Sequence, residues 1–397
     1  MTQREVVLVS GVRTAIGSFG GSLKSVPPCE LAGKVTAEAI RRSGVGAEEI
    51  EHVVFGHVIN TEPRDMYLAR VAAVDAGIPV ETPALTLNRL CGSGAQAIVS
   101  AAQSILLGDA DITLAGGAES MSRAPFSSPG ARFGVKMGDA VMHDMMLGAL
   151  NDPFGGGHMG ITAENVAERY NISREAQDAL AVDSQHRAGI AIRDGRFSEQ
   201  ILPLDVKVGR NTIKFNTDEH VRADTSPSTL SALRPVFRKD GSVTAGNSSG
   251  LNDGAAAVVL ADRETAKRRG LRPMARLIGY AHAGVAPDVM GIGPIPAVQK
   301  LLQKTGMSPA DFDVIESNEA FAAQACAVMR ELGFPSDRVN PNGGAIALGH
   351  PVGATGCIIT VKTMYELERT GGRYGLVTMC IGGGQGIALA LENLSAA

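Results

Sequence analysis

Cys91 stands in a sequence context that favours nucleophilic chemistry. It follows a strand-like segment and precedes Gly92-Ser93-Gly94, at the start of a helix of small residues. The partial positive charge and the free N–H groups of a helix N-terminus favour the thiolate form of a cysteine. A small buried cysteine in a packed turn would have the same neighbours, so the context favours a reactive thiol without requiring one.

His350 is the candidate base, and it lies in the segment NGGAIALGHPVGATG at 342–356. Gly349 clears space on one side and Pro351 fixes the backbone on the other. An imidazole placed in this way could act as a general base. A capping or core histidine would fit the same pattern.

Cys380 ends a strand-like run in VTMCIGGGQG at 377–386. An inert strand cysteine is one interpretation, but the glycine run indicates a sharp turn or N–H groups that face an anion. Asn318, where a strand meets a helix, could donate to an oxyanion or cap the helix. The segment GNSSGLNDG at 246–254 suits a flexible polar ligand. The eight histidines lack metal-ligand spacing and there is no C-x-x-C pair, so we expect no metal site.

Alternating strands and helices must position these residues. Strand-like segments at 6–10, 52–55, 84–88 and 112–115 alternate with helical ones at 31–42 and 95–107, which predicts a mainly parallel buried sheet. The scheme then repeats, because Gly44 and Gly306 are separated by 306 − 44 = 262 residues in similar segments. The same offset carries Gly92–Gly94 onto 354–356. We interpret the chain as a duplication whose two turns meet, bringing Cys91 and His350 together.

The segment between the repeats breaks this rhythm and resembles an inserted loop domain. We therefore expect an N-terminal half at 1–120, completed by about 251–271, an inserted domain at 121–250 and a C-terminal half at 272–397. The insert contains a helical pair at 161–170 and 173–194. Long insertions of this kind are commonly functional.

Composition narrows the class of protein further. The formal net charge of −4 gives no support for nucleic-acid binding, and no uncharged apolar stretch is long enough for a membrane span. The cysteines are odd in number and widely spaced, which is typical of free thiols in a reducing compartment. Without a basic leader or a C-terminal peroxisomal address, we expect a cytoplasmic protein.

Four segments together resemble the signature blocks of the thiolase family. They are LNRLCGSGAQAI, NEAFAAQ, NPNGGAIALGHPVGATG and VTMCIGGGQG. The likeness spans essentially the whole chain and is strongest to bacterial acetyl-CoA acetyltransferases and β-ketothiolases. It implies two βαβαβαββ halves in α-β-α-β-α layers and a homotetramer built as a dimer of dimers. It also implies acetyl-CoA, short-chain 3-ketoacyl-CoA and CoA as substrates, with no tightly bound cofactor.

The resemblance also implies a role for each site residue. Cys91 becomes acylated, His350 activates it, and Cys380 moves a proton at the α-carbon of the second acyl group. Asn318 holds a water in one oxyanion hole, which it shares with His350, and the N–H groups of Cys91 and Gly382 form the other. The family positions that contact CoA are matched by His158, Arg222 and Ser249. Those that line the acyl pocket are matched by Met159 and Met290.

Three glycines at 155–157 stand before His158. Their small bulk and expected mobility beside the acyl pocket predict tolerance of acyl chains longer than acetyl.

Two alternative functions remain for the chain. A decarboxylating ketoacyl synthase would use a cysteine with two histidines, whereas this chain has Asn318 and a second cysteine. A scaffold that has lost catalysis would have replaced one of the four catalytic residues, and all four are present.

Overall fold

A computed structural model describes residues 4–395 of the chain. The first half begins with strands and helices in alternation. These are β1 (Val6–Thr14), β2 (Gly17–Ser18), α1 (Pro28–Ser43), β3 (His52–Gly56), α2 (Leu68–Asp75), β4 (Ala84–Leu87), α3 (Ser93–Leu107) and β5 (Ile112–Ser120).

The middle of the chain consists of short elements and two longer helices. These are β6 (Phe126–Ser127), β7 (His143–Asp144), α4 (Met145–Leu150), β8 (Asn151–Asp152), β9 (Gly157–His158), α5 (Met159–Arg169), α6 (Arg174–Arg193), β10 (Ile201–Leu202), β11 (Leu204–Val208), β12 (Asn211–Phe215) and α7 (Pro227–Ser231). The predicted helical pair corresponds to α5 and α6, and the side chain of Ser173 caps α6 by accepting from the Ala176 N–H.

The chain then returns to the sheet. The remaining elements are β13 (Asn252–Asp262), α8 (Arg263–Arg268), β14 (Ala275–Gly284), α9 (Pro294–Thr305), β15 (Val314–Ser317), α10 (Ala322–Leu332), α11 (Ala345–Leu348), α12 (Thr355–Thr370), β16 (Tyr374–Ile381) and β17 (Gln385–Asn393).

The structure confirms the duplication. Helices α1 and α9 end at Gly44 and Gly306, whose φ angles are both 72°. Strands β3 and β15, helices α3 and α12, and strands β5 and β16 each begin 262 residues apart. The strand order is β15-β16-β17-β14-β1-β13-β5-β3-β4, so the two halves join where β1 pairs with β14.

The sheet is mixed rather than mainly parallel. Pairs β3–β4, β3–β5 and β15–β16 are parallel, whereas β13 and β17 run antiparallel to both of their neighbours. Alternation of strands and helices predicted the parallel pairs. It did not predict the antiparallel ones, because β13 and β17 are not preceded by a crossover helix on the same face.

Helices and sheets form five layers, as the family resemblance implies. Helices α1 and α2 cover the outer face of the first half, and α9 and α10 cover that of the second. Helices α3 and α12 lie between the two halves of the sheet, where each contacts strands of its own half and the other helix.

Two glycines make the crossing of α3 and α12 close. A Cβ atom on Gly94 would lie 2.6 Å from the Cys357 amide nitrogen, and one on Gly356 would lie 2.3 Å from the Ala95 amide nitrogen. The two contacts are related by the same 262-residue offset. The two helix N-termini therefore meet backbone to backbone, on the pseudo-twofold axis of the duplication.

Two expectations about individual segments were wrong. The strand predicted at 112–115 does not end before Gly116-Gly117 but continues through both glycines to Ser120. A side chain on these glycines would meet the Phe55 ring at 2.4 Å or the Gly353 carbonyl at 2.4 Å. The stretch Leu90–Leu107 also has the length and apolar composition of a membrane span, contrary to the prediction. It contains the central helix α3, so this is only weak support for a span.

Candidate active site

One cavity of about 440 Å³ brings together most of the residues singled out in the sequence. Its wall contains both cysteines, the histidine and the glycine of the proposed chemistry, together with the five residues matched to substrate contacts. These lining residues are Cys91, His350, Cys380, Gly382, His158, Met159, Arg222, Ser249 and Met290. Asn318 does not line this cavity.

A strained turn presents Cys91 at the start of α3. Leu90 has a positive φ of 45°, which is uncommon for a residue with a branched side chain. The Asn88 side chain accepts from the Leu90 N–H at 2.9 Å. The Ser93 hydroxyl accepts from the Arg89 N–H at 2.8 Å and donates to the Leu90 carbonyl at 2.7 Å. These bonds hold the turn and expose the thiol to the cavity.

Opposing effects act on the Cys91 thiol. Burial raises its pKa, and this is the largest effect. The backbone N–H groups of Gly382 and of Cys91 itself act against burial and lower the pKa, whereas the charge of Glu119 raises it further. The net pKa is raised, so the helix N-terminus does not produce a resting thiolate as the sequence suggested. A base must take the proton when the thiol reacts.

His350 is placed to be that base. It is buried, and burial lowers the pKa of its imidazole to about 4, so the ring is neutral at pH 7. Asn252 accepts from the His350 backbone N–H at 2.8 Å and holds the turn. The ring Nδ1 lies 2.7 Å from the Thr355 hydroxyl, and the ring Nε2 lies 3.5 Å from the Asn318 amide nitrogen.

Asn318 therefore contacts the imidazole at Nε2, although it is not in the cavity wall. It is buried, and its backbone N–H donates to the Thr378 carbonyl at 3.0 Å. Its carbonyl accepts from the Gln324 amide at 3.2 Å. Helix α10 begins at Ala322, so Asn318 does not cap it. Its side-chain oxygen is buried without a hydrogen-bond partner in the described residues.

Cys380 and Gly382 also line the cavity. Burial raises the pKa of the Cys380 thiol, and the charge of Cys91 raises it further, so the two thiols are close enough to interact. A side chain on Gly382 would lie 3.2 Å from Leu90 and 3.7 Å from Met159. Glycine at this position lets the Gly382 N–H reach the Cys91 thiol.

The residues matched to CoA contacts lie at the mouth of the cavity. The His158 ring stacks on Phe237 with ring centroids 4.7 Å apart, and its Nδ1 accepts from the Gly160 N–H at 3.0 Å. Its other ring nitrogen is then left with a proton to donate. The Ser249 backbone N–H donates to the Ala320 carbonyl at 3.0 Å, which leaves the hydroxyl available. Arg222 is exposed and borders a second cavity of about 330 Å³.

Sequence reasoning missed several residues of the wall. Helix α4 contributes Met146, Leu147 and Leu150, and the loops contribute His220 and Phe237. The apolar run MMLGAL at 145–150 within a polar insert was the available signal for α4. Met159 and Met290, which were expected at the acyl pocket, are both buried and line the cavity.

The three-glycine loop is more ordered than expected. It closes the hairpin of β8 and β9, in which Asn151 pairs with His158. The Asp152 carboxylate accepts from the Phe154 N–H at 3.1 Å and from the Gly156 N–H at 2.8 Å. Positive φ angles at Gly155 and Gly157 allow this tight turn. None of the three glycines lines the cavity, so α4, not the loop, bounds the pocket there.

Among residues 4–395, no group of three His, Cys, Asp or Glu side chains is arranged to hold a metal ion. What the site does contain is the Cys91 thiol, a neutral imidazole, a second thiol, and backbone N–H groups that face the first thiol. A duplicated five-layer α/β fold with this site defines a class of enzymes that transfer acyl groups through a cysteine.

Comparison with known proteins identifies the family. The sequence model described as thiolase, N-terminal domain, matches residues 6–264, and that described as thiolase, C-terminal domain, matches residues 271–393. The chain belongs to the thiolase family.

Individual relatives are similar over their full length. The beta-ketothiolase BktB of Cupriavidus necator is 61% identical over 98% of this chain and 100% of the relative. A crystal structure of the acetyl-CoA acetyltransferase of Bacillus anthracis has a TM-score of 0.96 at 47% identity and covers 99% of each chain. That of human mitochondrial 3-ketoacyl-CoA thiolase in complex with CoA has a TM-score of 0.95 at 44% identity and covers 98% of each chain.

Proposed function

We propose that this chain is an acetyl-CoA C-acetyltransferase, or β-ketothiolase. It joins acetyl-CoA to a second acetyl-CoA or a short acyl-CoA, giving a 3-ketoacyl-CoA and free CoA, and it catalyses the reverse thiolysis. The observation that carries the proposal is the meeting of Cys91, His350, Cys380 and Gly382 in one cavity of a full-length thiolase fold.

In the first step, Cys91 takes the acyl group. His350 accepts the thiol proton as the sulfur attacks the thioester carbonyl of acetyl-CoA. The N–H groups of Cys91 and Gly382, which already face the sulfur, stabilise the oxyanion that forms. The tetrahedral intermediate collapses, CoA leaves as its thiolate, and the proton on His350 passes to that thiolate.

In the second step, Cys380 makes the carbon nucleophile. Cys380 passes its thiol proton to His350, and the resulting thiolate removes the α-proton of the second acetyl-CoA. The enolate oxygen is held by the protonated His350 and by a water on Asn318. The carbanion attacks the acyl group on Cys91 and the Cys91 thiolate leaves. His350 then gives its proton to the Cys91 thiolate, which returns Cys91 to its thiol form and His350 to its neutral form. Because Cys380 is buried beside Cys91, its thiolate forms in the presence of substrate, not at rest.

CoA binding follows from the shape of the site. The apolar main cavity would hold the acyl group and the pantetheine arm against His158, Met159, Met290 and Ser249. The second cavity shares His220, Arg222 and Ala245 with the first, so it continues the binding site outward. The positive charge of Arg222 suits the phosphates at the nucleotide end of CoA.

We also propose that the pocket accepts acyl chains longer than acetyl. Flexible methionines form part of its wall, and methionine adapts to ligands of different size. The test compares thiolysis rates on 3-ketoacyl-CoAs of four, five and six carbons. Activity on the four-carbon substrate alone would refute this extension while leaving the thiolase function intact.

The quaternary state and the domain division remain proposals. We propose a cytoplasmic homotetramer, a dimer of dimers, with domains at 1–120 plus 251–271, 121–250 and 272–397. The insert exposes apolar side chains that association would cover. These are Phe126, Phe133, Val135, Met137, Val141 and Met142. Light scattering should give a tetramer, and a monomer at micromolar concentration would contradict the assembly.

The activity itself is tested by CoA-dependent cleavage of acetoacetyl-CoA. We expect acetyl-CoA as the sole product and no activity in a Cys91→Ala variant. Release of carbon dioxide from malonyl-CoA without thiolysis would instead indicate a decarboxylating synthase. Absence of both activities in the wild-type protein would favour a scaffold that has lost catalysis.

A further inference from the structure

Thr355 is the residue that contacts the imidazole of His350 most closely. Its hydroxyl oxygen lies 2.7 Å from Nδ1, and the residue is 2% exposed. The same hydroxyl lies 2.9 Å from the Pro351 carbonyl oxygen. A carbonyl oxygen only accepts, so the contact with Pro351 is a hydrogen bond when Thr355 donates its single hydroxyl proton there. The lone pairs of Thr355 then face Nδ1.

This arrangement favours one tautomer of the imidazole. With the hydroxyl proton directed to Pro351, Nδ1 carries the hydrogen and donates it to Thr355, which leaves Nε2 unprotonated in the neutral ring. The Asn318 amide nitrogen lies 3.5 Å from Nε2 and presents N–H groups to its lone pair. Both neighbours therefore favour the same tautomer, and they do so from opposite sides of the ring.

The duplication provides an independent comparison. Ser93 is the first residue of α3 and Thr355 the first of α12, 262 residues later. Each hydroxyl donates to a carbonyl of the preceding turn. The Ser93 oxygen accepts from a backbone N–H of the Cys91 turn, whereas the Thr355 oxygen faces the His350 ring. Ser93 thus holds the Cys91 turn in the first half, and Thr355, at the equivalent position of the second half, holds the His350 ring.

We propose that Thr355 is a positioning residue that completes a Cys91–His350–Thr355 triad. It holds the imidazole with Nδ1 protonated, so that Nε2 takes the proton from the Cys91 thiol and later returns it to the departing CoA thiolate. The Nδ1–H bond to Thr355 is the same in the neutral and the protonated ring, so no group rearranges during transfer. The inference rests on the proposed thiolase function and adds the residue that orients the general base, His350.

The test uses Thr355→Val, which removes the hydroxyl and keeps the shape, and Thr355→Ser, which keeps the hydroxyl. Thr360→Val is the matched control: Thr360 is buried in the same helix, and its hydroxyl donates to the Gly356 carbonyl at 2.8 Å, not to the imidazole. The measurements are kcat and KM for CoA in thiolysis, the rate of Cys91 alkylation by iodoacetamide, and the melting temperature.

We expect Thr355→Val to lower kcat and the alkylation rate by about 100-fold, the lower end of what a positioned base contributes. KM for CoA should stay unchanged, and Thr355→Ser and Thr360→Val should resemble the wild type. The proposal is overturned if Thr355→Val keeps its kcat. It is equally overturned if Thr355→Ser is as impaired as Thr355→Val, or if Thr360→Val loses as much.

A second measurement does not depend on how the Thr355 variants fold. Nitrogen-15 NMR of histidine-labelled wild-type protein, assigned with His350→Asn, reports which ring nitrogen carries the hydrogen. A proton on Nδ1 supports the proposal, and a proton on Nε2 overturns it. Neither this result nor the alkylation rate requires thiolysis, so a wild-type protein without thiolase activity would refute the proposed function separately.

Discussion

The crossing of α3 and α12 should control both stability and activity, and Gly356→Ala tests this. The new Cβ would lie 2.3 Å from the Ala95 amide nitrogen and 2.7 Å from the Ala95 Cβ. Ordinary contacts between such atoms are about 3.5 Å, so the helices must separate by about 1 Å. Overpacking of this kind costs about 1–3 kcal/mol. The two contacted atoms are the backbone nitrogen and the Cβ of Ala95, and the helix backbone of α3 fixes both of them. A side-chain rotation therefore does not relieve the contact.

The same displacement reaches the reacting pair, since α3 begins two residues after Cys91 and α12 begins five residues after His350. A misplacement of about 1 Å can lower activity by about 100-fold. We therefore expect Gly356→Ala to lower the melting temperature and to lower kcat for acetoacetyl-CoA thiolysis by about that factor.

Gly33→Ala in α1 provides the matched control for this substitution. Its Cβ would lie 3.4 Å from the Asp75 Cβ, an ordinary contact, so activity should be unchanged. If Gly356→Ala has wild-type kcat and melting temperature, the reasoning that the crossing sets the geometry of the site is wrong.

Three further predictions concern the site itself. Cys380→Ser should still form the acetyl-enzyme but lose condensation by at least about 100-fold, measured as acetoacetyl-CoA formation; equal loss of both steps would contradict its role. Because burial lowers the pKa of His350 to about 4, Cys91 acylation should fall as pH drops through about 4. The unfolded imidazole has a pKa near 6.5, so stability is full above that pH and is lost towards pH 4, by up to about 3 kcal/mol. The free energy of unfolding of the His350→Asn variant, measured over the same pH range, should lack this part of the pH dependence. Arg222→Ala should raise KM for CoA about tenfold, or ~1.4 kcal/mol, with kcat unchanged; a fall in kcat alone would place Arg222 in the chemistry.

Much of the fold could be predicted because short local sequence patterns reveal the duplication. A glycine ends α1 and another ends α9, and both take the left-handed conformation that terminates a helix. The offset between them also places the Cys91 and His350 turns at one axis. The antiparallel strands β13 and β17 were not predicted, because no local pattern states which neighbour a strand will pair with.

The candidate site could be predicted only in part. Residues within motifs, such as Cys91 and His350, are marked by their own neighbours. Phe237 and His220 come from distant loops, and their meeting depends on how the insert folds. The raised pKa of Cys91 depends on burial, which the glycines around it do not reveal. Thr355 could have been found, since it occupies the position equivalent to Ser93 in the repeat.

The central claim is that Cys91 carries the acyl group and Cys380 does not. Its most direct test is mass spectrometry of peptides from the protein after brief incubation with acetyl-CoA and acid quenching. The account predicts an acetyl adduct on the peptide that contains Cys91, present in Cys380→Ser and absent in Cys91→Ala. An adduct on Cys380, or one that persists in Cys91→Ala, would contradict it.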